Sequence, residues 1–188
     1  MLSAGAGAAQ FHARVVAIGD GDTLTLLDDE NQLHKVRLSG IDAPERRQAY
    51  GERSKQHLAA LAHGKTVLVV GGKRDRYRRL IARVLLPECT RPGCAYTLDI
   101  GLEQIRMGLA WRYKQYAKEQ PPAERLRYAW VEREARIHGV GLWKEALPIP
   151  PWQYRKSAAV PAETRDGSRF PRYKTDLNPG LSRDLPFT

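Results

Sequence analysis

The hydrophobic pattern along the chain changes from strand-like near the start to helix-like further on. Apolar, β-rich segments at residues 11–18 and 23–27 are joined by an Asp-Gly step, which is a strong signal for a tight hairpin. Residues 33–38, 66–70 and 80–86 have the same strand-like character. Five strands in a mostly antiparallel run predict a small β barrel.

Helical periodicity first appears in the segment 51–62. This segment places Leu58 and Leu61 on one face, as expected for a helix with one buried side. Further along, Asp99 is suited to cap a helix that runs to Met107, because a carboxylate accepts hydrogen bonds from the first free backbone amides of a helix. We therefore expect both segments to be helices packed on the barrel.

The clearest helical pattern follows Pro121. Leu126, Trp130 and Ile137 fall on one stripe of this helix, which predicts that the stripe faces the core. We interpret Trp130, and also Trp143 beyond the helix, as core residues. The whole pattern predicts an α+β fold, mainly a β barrel, in which about three helices pack on five strands.

Composition and charge narrow the class of protein. The chain has 188 residues, a formal net charge of +10 and two cysteines, and its pI is near 9.9. No run approaches the roughly 18 apolar residues of a membrane-spanning helix, so we expect no membrane partner. Two cysteines are too few for a four-ligand zinc ribbon. The excess of positive charge favours a polyanionic partner such as nucleic acid, although a basic solvated surface is the alternative explanation.

The two ends of the chain differ from its middle. Residues 1–10 are small and uncharged, so they are read either as the remnant of a signal peptide or as a plain N-terminal tail. Proline recurs from residue 148 to residue 186, and such a segment is not expected to sustain helices or central strands. We therefore predict one domain over residues 11–156, followed by a Pro-rich, basic tail over residues 157–188 that is extended or disordered.

Candidate chemistry is concentrated between residues 20 and 45. Asp22 has the same strand parity as the leucines that follow it, and Arg37 is a charge within an apolar strand. Asp42 and Glu45 flank a proline that restricts how they diverge. Two carboxylates and a main-chain carbonyl can hold a hard cation such as calcium, and a third carboxylate can act on water. The alternative is a set of turn residues and one structural ion pair.

Five motifs occur in a fixed order along the chain. They are Asp20-Gly-Asp-Thr23, Val36-Arg-Leu-Ser-Gly-Ile-Asp-Ala-Pro-Glu45, Asp75-Arg-Tyr-Arg-Arg79 before Leu80-Ile-Ala-Arg-Val84, Gly108-Leu-Ala-Trp111 and Gly141-Leu-Trp143. In this order the sequence resembles the staphylococcal nuclease, or thermonuclease-like, family over about residues 11–152. The resemblance implies an OB-fold barrel with helices packed on it, a fold that often binds oligonucleotides.

The resemblance also implies roles for the acidic residues. It assigns Asp22 and Asp42 as calcium ligands, with the backbone carbonyl of Ala43 as a third ligand. The family often has threonine at this last position, but a backbone ligand does not depend on the side chain. Glu45 matches the residue that orients or deprotonates the attacking water.

The basic residues are assigned in the same way. Arg37 and Arg79 match the pair that clamps the phosphate and stabilises its extra charge in the transition state. Arg78 stands where the family commonly has glycine, so either neighbouring arginine could face the site, and the alignment favours Arg79. Arg76 and Tyr77 match positions that contact a neighbouring phosphate.

Two further pairs of residues can each be interpreted in two ways. Tyr113 and Tyr116 lie in a basic segment, where one of them is expected to stack on a base unless both are ordinary exposed tyrosines. Cys89 and Cys94 flank a Pro-Gly turn that would bring them to disulfide distance, with two free thiols as the alternative.

The function implied by the resemblance is a calcium-dependent nuclease. It would hydrolyse single-stranded or locally open DNA, and RNA, with little sequence specificity and leave 3′-phosphate products. The alternative is a catalytically silent OB-fold module that only binds nucleic acid. We expect a monomer that is secreted or periplasmic, with a cytoplasmic location as the alternative, because a non-specific nuclease is toxic beside its own genome.

Overall fold

The structure is a computed structural model that describes residues 9–89, 91 and 93–158. The expectations for residues 1–8 and 159–188, a leader remnant and most of the tail, lie outside the described residues. No helix within the described ranges is long and apolar enough to cross a membrane.

Eight strands and four α-helices make up the described chain. The strands are β1 (Gln10–Ile18), β2 (Thr23–Asp28), β3 (Leu33–Leu38), β4 (Ile41–Asp42), β5 (Thr66–Arg74), β6 (Leu80–Pro87), β7 (Tyr96–Asp99) and β8 (Trp111–Arg112). The helices are α1 (Gly51–Ala62), α2 (Ile100–Arg106), α3 (Pro122–Ile137) and α4 (Pro151–Ala158), with 3-10 helices at Lys114–Glu119 and Gly141–Lys144.

Five of the strands close into a barrel. The sheet order is β3-β2-β1-β5-β6-β7, and a parallel pairing of β3 with β6 joins its two sides. The inward residues of the barrel, such as Val15, Leu24 and Val84, are almost completely buried. This confirms the predicted α+β architecture, an OB-like barrel of five strands, with four α-helices rather than about three. Strands β4, β7 and β8 were not predicted, because segments of two or four residues are too short to show a hydrophobic periodicity.

The β1–β2 hairpin turns at the predicted Asp-Gly step. Asp20 Oδ1 accepts a hydrogen bond from the Asp22 amide at 3.0 Å, and β1 and β2 pair in antiparallel register. A Cβ at Gly21 would collide with Ser54 Oγ and lie 2.7 Å from Ala43 Cβ. Glycine is therefore required here, because the turn packs directly against α1 and against the chain that follows β4.

The predicted cap of α2 is present. Asp99 Oδ1 accepts hydrogen bonds from the amides of Gly101 at 3.0 Å and Leu102 at 3.2 Å. Gln104, on the same helix, is wholly buried and donates through Nε2 to the Gly21 carbonyl at 2.7 Å. These contacts fix α2 both to the barrel and to the turn that precedes Asp22.

The predicted core stripe of α3 is wrong. Leu126, Trp130 and Ile137 are 70%, 62% and 62% exposed. The buried face instead carries Tyr128, Val131, Glu132 and Ala135. Polar side chains can face inward here because they find partners: the Tyr128 hydroxyl donates to Asp99 Oδ2 at 2.8 Å, and Glu132 Oε1 accepts the Arg112 amide at 3.0 Å. The pattern of apolar positions in the sequence does not reveal such hydrogen-bond partners.

Trp143 is half-buried rather than part of the core. Its ring lies 4.3 Å from the ring of Trp111, centroid to centroid, and Arg136 stacks over it at 4.0 Å. Of the two tryptophans predicted to be core residues, Trp130 is thus exposed and Trp143 packs at the edge.

The start of the proline-rich segment is helical, which corrects the expectation for it. Helix α4 begins at Pro151 and includes Ser157, the first residue of the predicted tail. Proline is compatible with the first position of a helix, because the amide it lacks has no intrahelical partner there. Cys89 and Cys94, which follow β6, are joined by a disulfide with Cα atoms 5.7 Å apart.

Candidate active site

Two buried carboxylates lie side by side where the β1–β2 hairpin meets β4. Asp22 and Asp42 are only 6% and 1% exposed. Asp22 Oδ2 accepts the Ala43 amide at 3.1 Å, and Asp22 Oδ1 accepts the Thr23 hydroxyl at 3.1 Å. The residues predicted as metal ligands, which are about twenty positions apart in sequence, are therefore adjacent in space.

Arg37 lies between these two carboxylates. Its Nη2 atom is 2.9 Å from Asp42 Oδ1 and 3.4 Å from Asp22 Oδ2, and its side chain is 14% exposed. Register places it there, because Arg37 pairs with Thr23 on β2 and with Ile81 on β6. Burial opposes the charge, but the two carboxylates outweigh burial and hold the pKa of Arg37 above its usual value.

The environment of Asp22 disfavours its ionised form. Burial raises the pKa of Asp22 to about 7, with Arg37 as the main opposing influence. Asp20 and Asp42 add like-charge repulsion in the same direction as burial. A site of this kind gains from additional positive charge, because each carboxylate is costly to keep ionised without a counter-ion.

Glu45 is placed at the rim by the loop between β4 and α1. Its amide donates to Gln48 Oε1 at 3.1 Å, and Gln48 Nε2 donates to the Ile149 carbonyl at 2.5 Å. The Glu45 side chain is 41% exposed. Its carboxylate thus adjoins the buried pair and remains accessible to solvent.

Arg155 on α4 completes this group and was missed by the sequence reasoning. Its Nη2 is 2.8 Å from Asp42 Oδ2, and its Nη1 is 2.7 Å from Glu45 Oε1. The proline-rich segment was not expected to form a helix, so neither α4 nor the partners of Arg155 were predicted. We define the site cluster as the five side chains of Asp22, Arg37, Asp42, Glu45 and Arg155.

Of the two candidate arginines before β6, Arg79 lies beside the site. Arg79 Nη1 is 3.5 Å from the Thr23 hydroxyl, and its guanidinium is held by Asp75 at 2.8 Å. Arg78 is exposed and adopts a left-handed φ of 64°. Burial disfavours the charge on Asp75, but hydrogen bonds from Arg79 and the backbone hold its pKa below the usual value.

The predicted substrate-contacting residues fall in two places. Arg76 stacks over the Tyr77 ring at 4.8 Å, and Tyr77 is 63% exposed on the turn that also carries Arg79. Tyr113 is at the site itself, because the Arg37 guanidinium lies 5.3 Å from its ring centroid. Tyr116 is in the 3-10 helix Lys114–Glu119, and its side chain lies outside the described part of the structure.

The donors at the site suit a hard cation. Asp22 and Asp42 offer carboxylate oxygens, and the carbonyl of Ala43 belongs to the residue whose amide already binds Asp22. Within residues 9–89, 91 and 93–158, no group of three or more His, Cys, Asp or Glu side chains is arranged to hold a metal ion. Two guanidinium groups at the carboxylates indicate that this place attracts cations. Asp22, Asp42 and the Ala43 carbonyl are the groups that would hold such a cation.

Together, the barrel and the site cluster define an OB-like protein with buried carboxylates and arginines gathered at one place. The family model described as "Staphylococcal nuclease homologue" matches residues 35–145. The chain belongs to the staphylococcal nuclease family, as the motifs predicted. Its class of enzyme, a nuclease, is confirmed with it. The matched range starts in β3, so the hairpin that carries Asp22 precedes it.

Several curated proteins are similar to this chain over most of its length. It is 39% identical over 147 residues to an uncharacterised endonuclease of Haemophilus influenzae. The matched region covers 78% of this chain and 74% of that protein. It is 37% identical over 152 residues to protein ParB of Escherichia coli, with coverage of 80% and 82%. It is 36% identical over 150 residues to a micrococcal nuclease of Shigella flexneri, with coverage of 80% and 83%.

Proposed function

We propose that this nuclease depends on calcium and hydrolyses phosphodiester bonds of DNA and RNA with little sequence specificity, leaving 3′-phosphate products. The observation that carries the proposal is the convergence of three carboxylates and two arginines in the site cluster. Phosphodiester hydrolysis needs charge neutralisation at the non-bridging oxygens and a positioned water, and these residue types supply both.

The acidic residues have separate tasks in this proposal. Asp22, Asp42 and the Ala43 carbonyl would hold calcium, which supplies Lewis acidity and a positive charge beside the phosphate. Glu45 is partly exposed next to the buried pair, so it can accept a proton from a water molecule that approaches from solvent. The proton of that water passes to a carboxylate oxygen of Glu45 as the new oxygen–phosphorus bond forms. The bond between phosphorus and the 5′-oxygen breaks in the same displacement, and the released 5′-oxygen takes up a proton from solvent water.

Arg37 and Arg79 bind the phosphate in this proposal. Arginine suits the task because its planar fork donates two hydrogen bonds to one phosphate. Arg37 is already ionised between two acids, and Arg79 is oriented by Asp75. Each guanidinium is therefore charged and partly aligned before the substrate arrives, which reduces the reorganisation needed in the transition state.

The partner proposed is single-stranded or locally open nucleic acid, bound by one copy of the chain. The exposed Arg76 and Tyr77 offer a cation and an aromatic face for a phosphate and base next to the scissile one. Tyr113 offers a second ring next to Arg37, and Tyr116 is proposed for the same role. No base-reading contact is required, which is consistent with low sequence specificity.

We also propose that the protein works outside the cytoplasm, in a secreted or periplasmic location. Disulfides persist in oxidising compartments, and Cys89 and Cys94 are joined. Intact-mass measurement of the native protein, with and without reductant, tests this directly. A pair of free thiols in protein purified from its source would contradict it.

A digestion assay tests the main proposal. Plasmid DNA, single-stranded DNA and RNA are incubated with calcium, magnesium or EDTA, and the product ends are identified by phosphatase treatment and mass spectrometry. We expect cleavage with calcium, none with EDTA, and 3′-phosphate ends. Full activity in EDTA would contradict the metal assignment, and binding without cleavage under all conditions would indicate a silent module.

A further inference from the structure

The guanidinium of Arg155 occupies a position beside the Asp42 carboxylate that a bound metal cation would also take. Its Nη1 and Nη2 are 3.3 Å and 2.8 Å from the two oxygens of Asp42, and Nη1 is also 2.7 Å from Glu45 Oε1. Arg37 donates to the same Asp42 Oδ1 at 2.9 Å. Both oxygens of Asp42 thus already face cationic donors, so a metal ion that binds this carboxylate competes with the arginines for it.

The two arginines differ in how easily they can leave. Arg37 is 14% exposed and lies on a barrel strand paired on both sides. Arg155 is 42% exposed and projects from α4, a helix of eight residues. An ion pair that is more exposed to solvent is worth less, so Arg155 rather than Arg37 is the one that is displaced.

Helix α4 can stay in place while the Arg155 side chain moves. The Trp152 ring packs against Trp111 and Tyr113 at 5.6 Å and 6.1 Å between centroids. The chain just before the helix is held by Gln48 through the Ile149 carbonyl. The Arg155 head group therefore remains within a side chain's reach of the site after it leaves Asp42.

We propose that Arg155 is a third arginine of the active site, which holds Asp42 and Glu45 as their counter-ion until the metal displaces it and then binds a phosphate of the substrate. The inference rests on the proposed function, because it takes Asp42 as a metal ligand. A displaced guanidinium keeps its charge, because arginine is not deprotonated in proteins. Phosphate is the group that a free, planar guanidinium at this position suits best.

Calcium affinity without nucleic acid tests the displacement. Isothermal calorimetry compares the wild-type chain with Arg155→Ala, Arg155→Lys and the matched control Lys156→Ala, an exposed neighbour on the same helix. We expect Arg155→Ala to bind calcium about fivefold more tightly, the factor that corresponds to losing one partly exposed ion pair. Arg155→Lys should fall in between, because an ammonium lacks the fork that spans both acids, and Lys156→Ala should match wild type.

Nucleic-acid affinity tests the second half of the proposal. The probe is a short single-stranded DNA with hydrolysis-resistant phosphorothioate linkages, in saturating calcium. We expect Arg155→Ala to bind it about fivefold more weakly and to reduce the slope of log affinity against log salt by about one, as for the loss of one phosphate contact. The NMR resonance of the Arg155 Nε–Hε group can be identified because Arg155→Ala lacks it. This resonance should shift when calcium is added to the wild type.

The outcomes separate this inference from the function it rests on. Unchanged or weaker calcium binding by Arg155→Ala, in chains that bind calcium, would overturn the displacement and leave the metal site intact. Unchanged DNA affinity and salt slope would overturn the phosphate role. If none of the four chains binds calcium, the proposed metal dependence fails, and the displacement fails with it.

Discussion

Two of the arginine–carboxylate clusters in the described part of the chain are built differently. The site cluster was defined above. The second, the Asp99 cluster, comprises Arg83, Asp99, Glu124 and Tyr128. In it Asp99 Oδ2 accepts from Arg83 Nε at 2.9 Å and from the Tyr128 hydroxyl at 2.8 Å, while Oδ1 caps α2. Arg83 also contacts Glu124 at the start of α3.

The difference separates a structural ion cluster from a functional one. In the Asp99 cluster the buried acid is satisfied on both oxygens by groups of the fold itself, so it ties α2 and α3 to β6. In the site cluster three acids share two guanidinium groups, and one of these comes from the surface of a short helix. A buried acid with replaceable partners can exchange a cation, whereas one with fixed partners can only hold the fold together.

Breaking the Asp99 cluster should have the largest effect, and the effect should be on stability. We expect Asp99→Ala to lower the free energy of unfolding by about 3 to 5 kcal/mol, because it removes the α2 cap and leaves Arg83 without its buried partner. Urea unfolding in EDTA measures this loss. The control Asp29→Ala, at an exposed turn, should stay within about 0.5 kcal/mol of wild type. A loss under about 1 kcal/mol would contradict the structural assignment of the cluster.

Breaking the site cluster should act on turnover instead. We expect Glu45→Gln and Arg37→Ala each to reduce the rate of DNA cleavage by at least about a hundredfold, the scale for removing a general base or a charge donor. Single-turnover cleavage of single-stranded DNA measures the effect, with circular dichroism as the folding check. Glu30→Gln, an exposed acid in the β2–β3 turn, is the control. Losses below about threefold in both variants would reject these roles.

Calcium should stabilise the protein through the site cluster alone. At a calcium concentration ten times the dissociation constant, the free energy of unfolding should rise by about 1.4 kcal/mol by mass action. Asp42→Asn should abolish this gain, while Glu124→Gln in the Asp99 cluster should retain it despite a lower baseline. Thermal unfolding with calcium and with EDTA provides the measurement. An equal calcium response in both variants would show that the cation binds elsewhere.

The smallest effect concerns strain beside the site cluster. Arg78 has φ 64° in the turn that positions Arg79, and a residue with a Cβ is disfavoured in this conformation. We expect Arg78→Gly to raise the free energy of unfolding by about 1 kcal/mol, with the Arg79–Asp75 contact retained. Chemical unfolding measures the gain. A destabilised variant would indicate that the Arg78 side chain contributes contacts that outweigh the strain.

Much of the fold could be predicted because its signals are local. The Asp-Gly turn, the alternation in β1 to β3 and the Asp99 cap each depend on a few neighbouring residues. The order of the five motifs predicted Asp22, Arg37 and Asp42 as one site, and the structure brings them together. The prediction for the buried face of α3 was wrong because its signal is not local. Which side of a helix is buried depends on the partners that the rest of the fold offers to its polar residues.

The sequence by itself determined the family, the five barrel strands, the helices α1, α2 and α3, and the residue types of the carboxylate pair. Only the tertiary structure decided that Arg79 rather than Arg78 lies beside the site, that Tyr128 faces the core in place of Trp130, and that Arg155 reaches Asp42. The last contact joins residues 113 positions apart. The physical reason is that hydrogen bonds within a turn or a cap depend on sequence neighbours, whereas the partners of a charge depend on which distant elements fold against it.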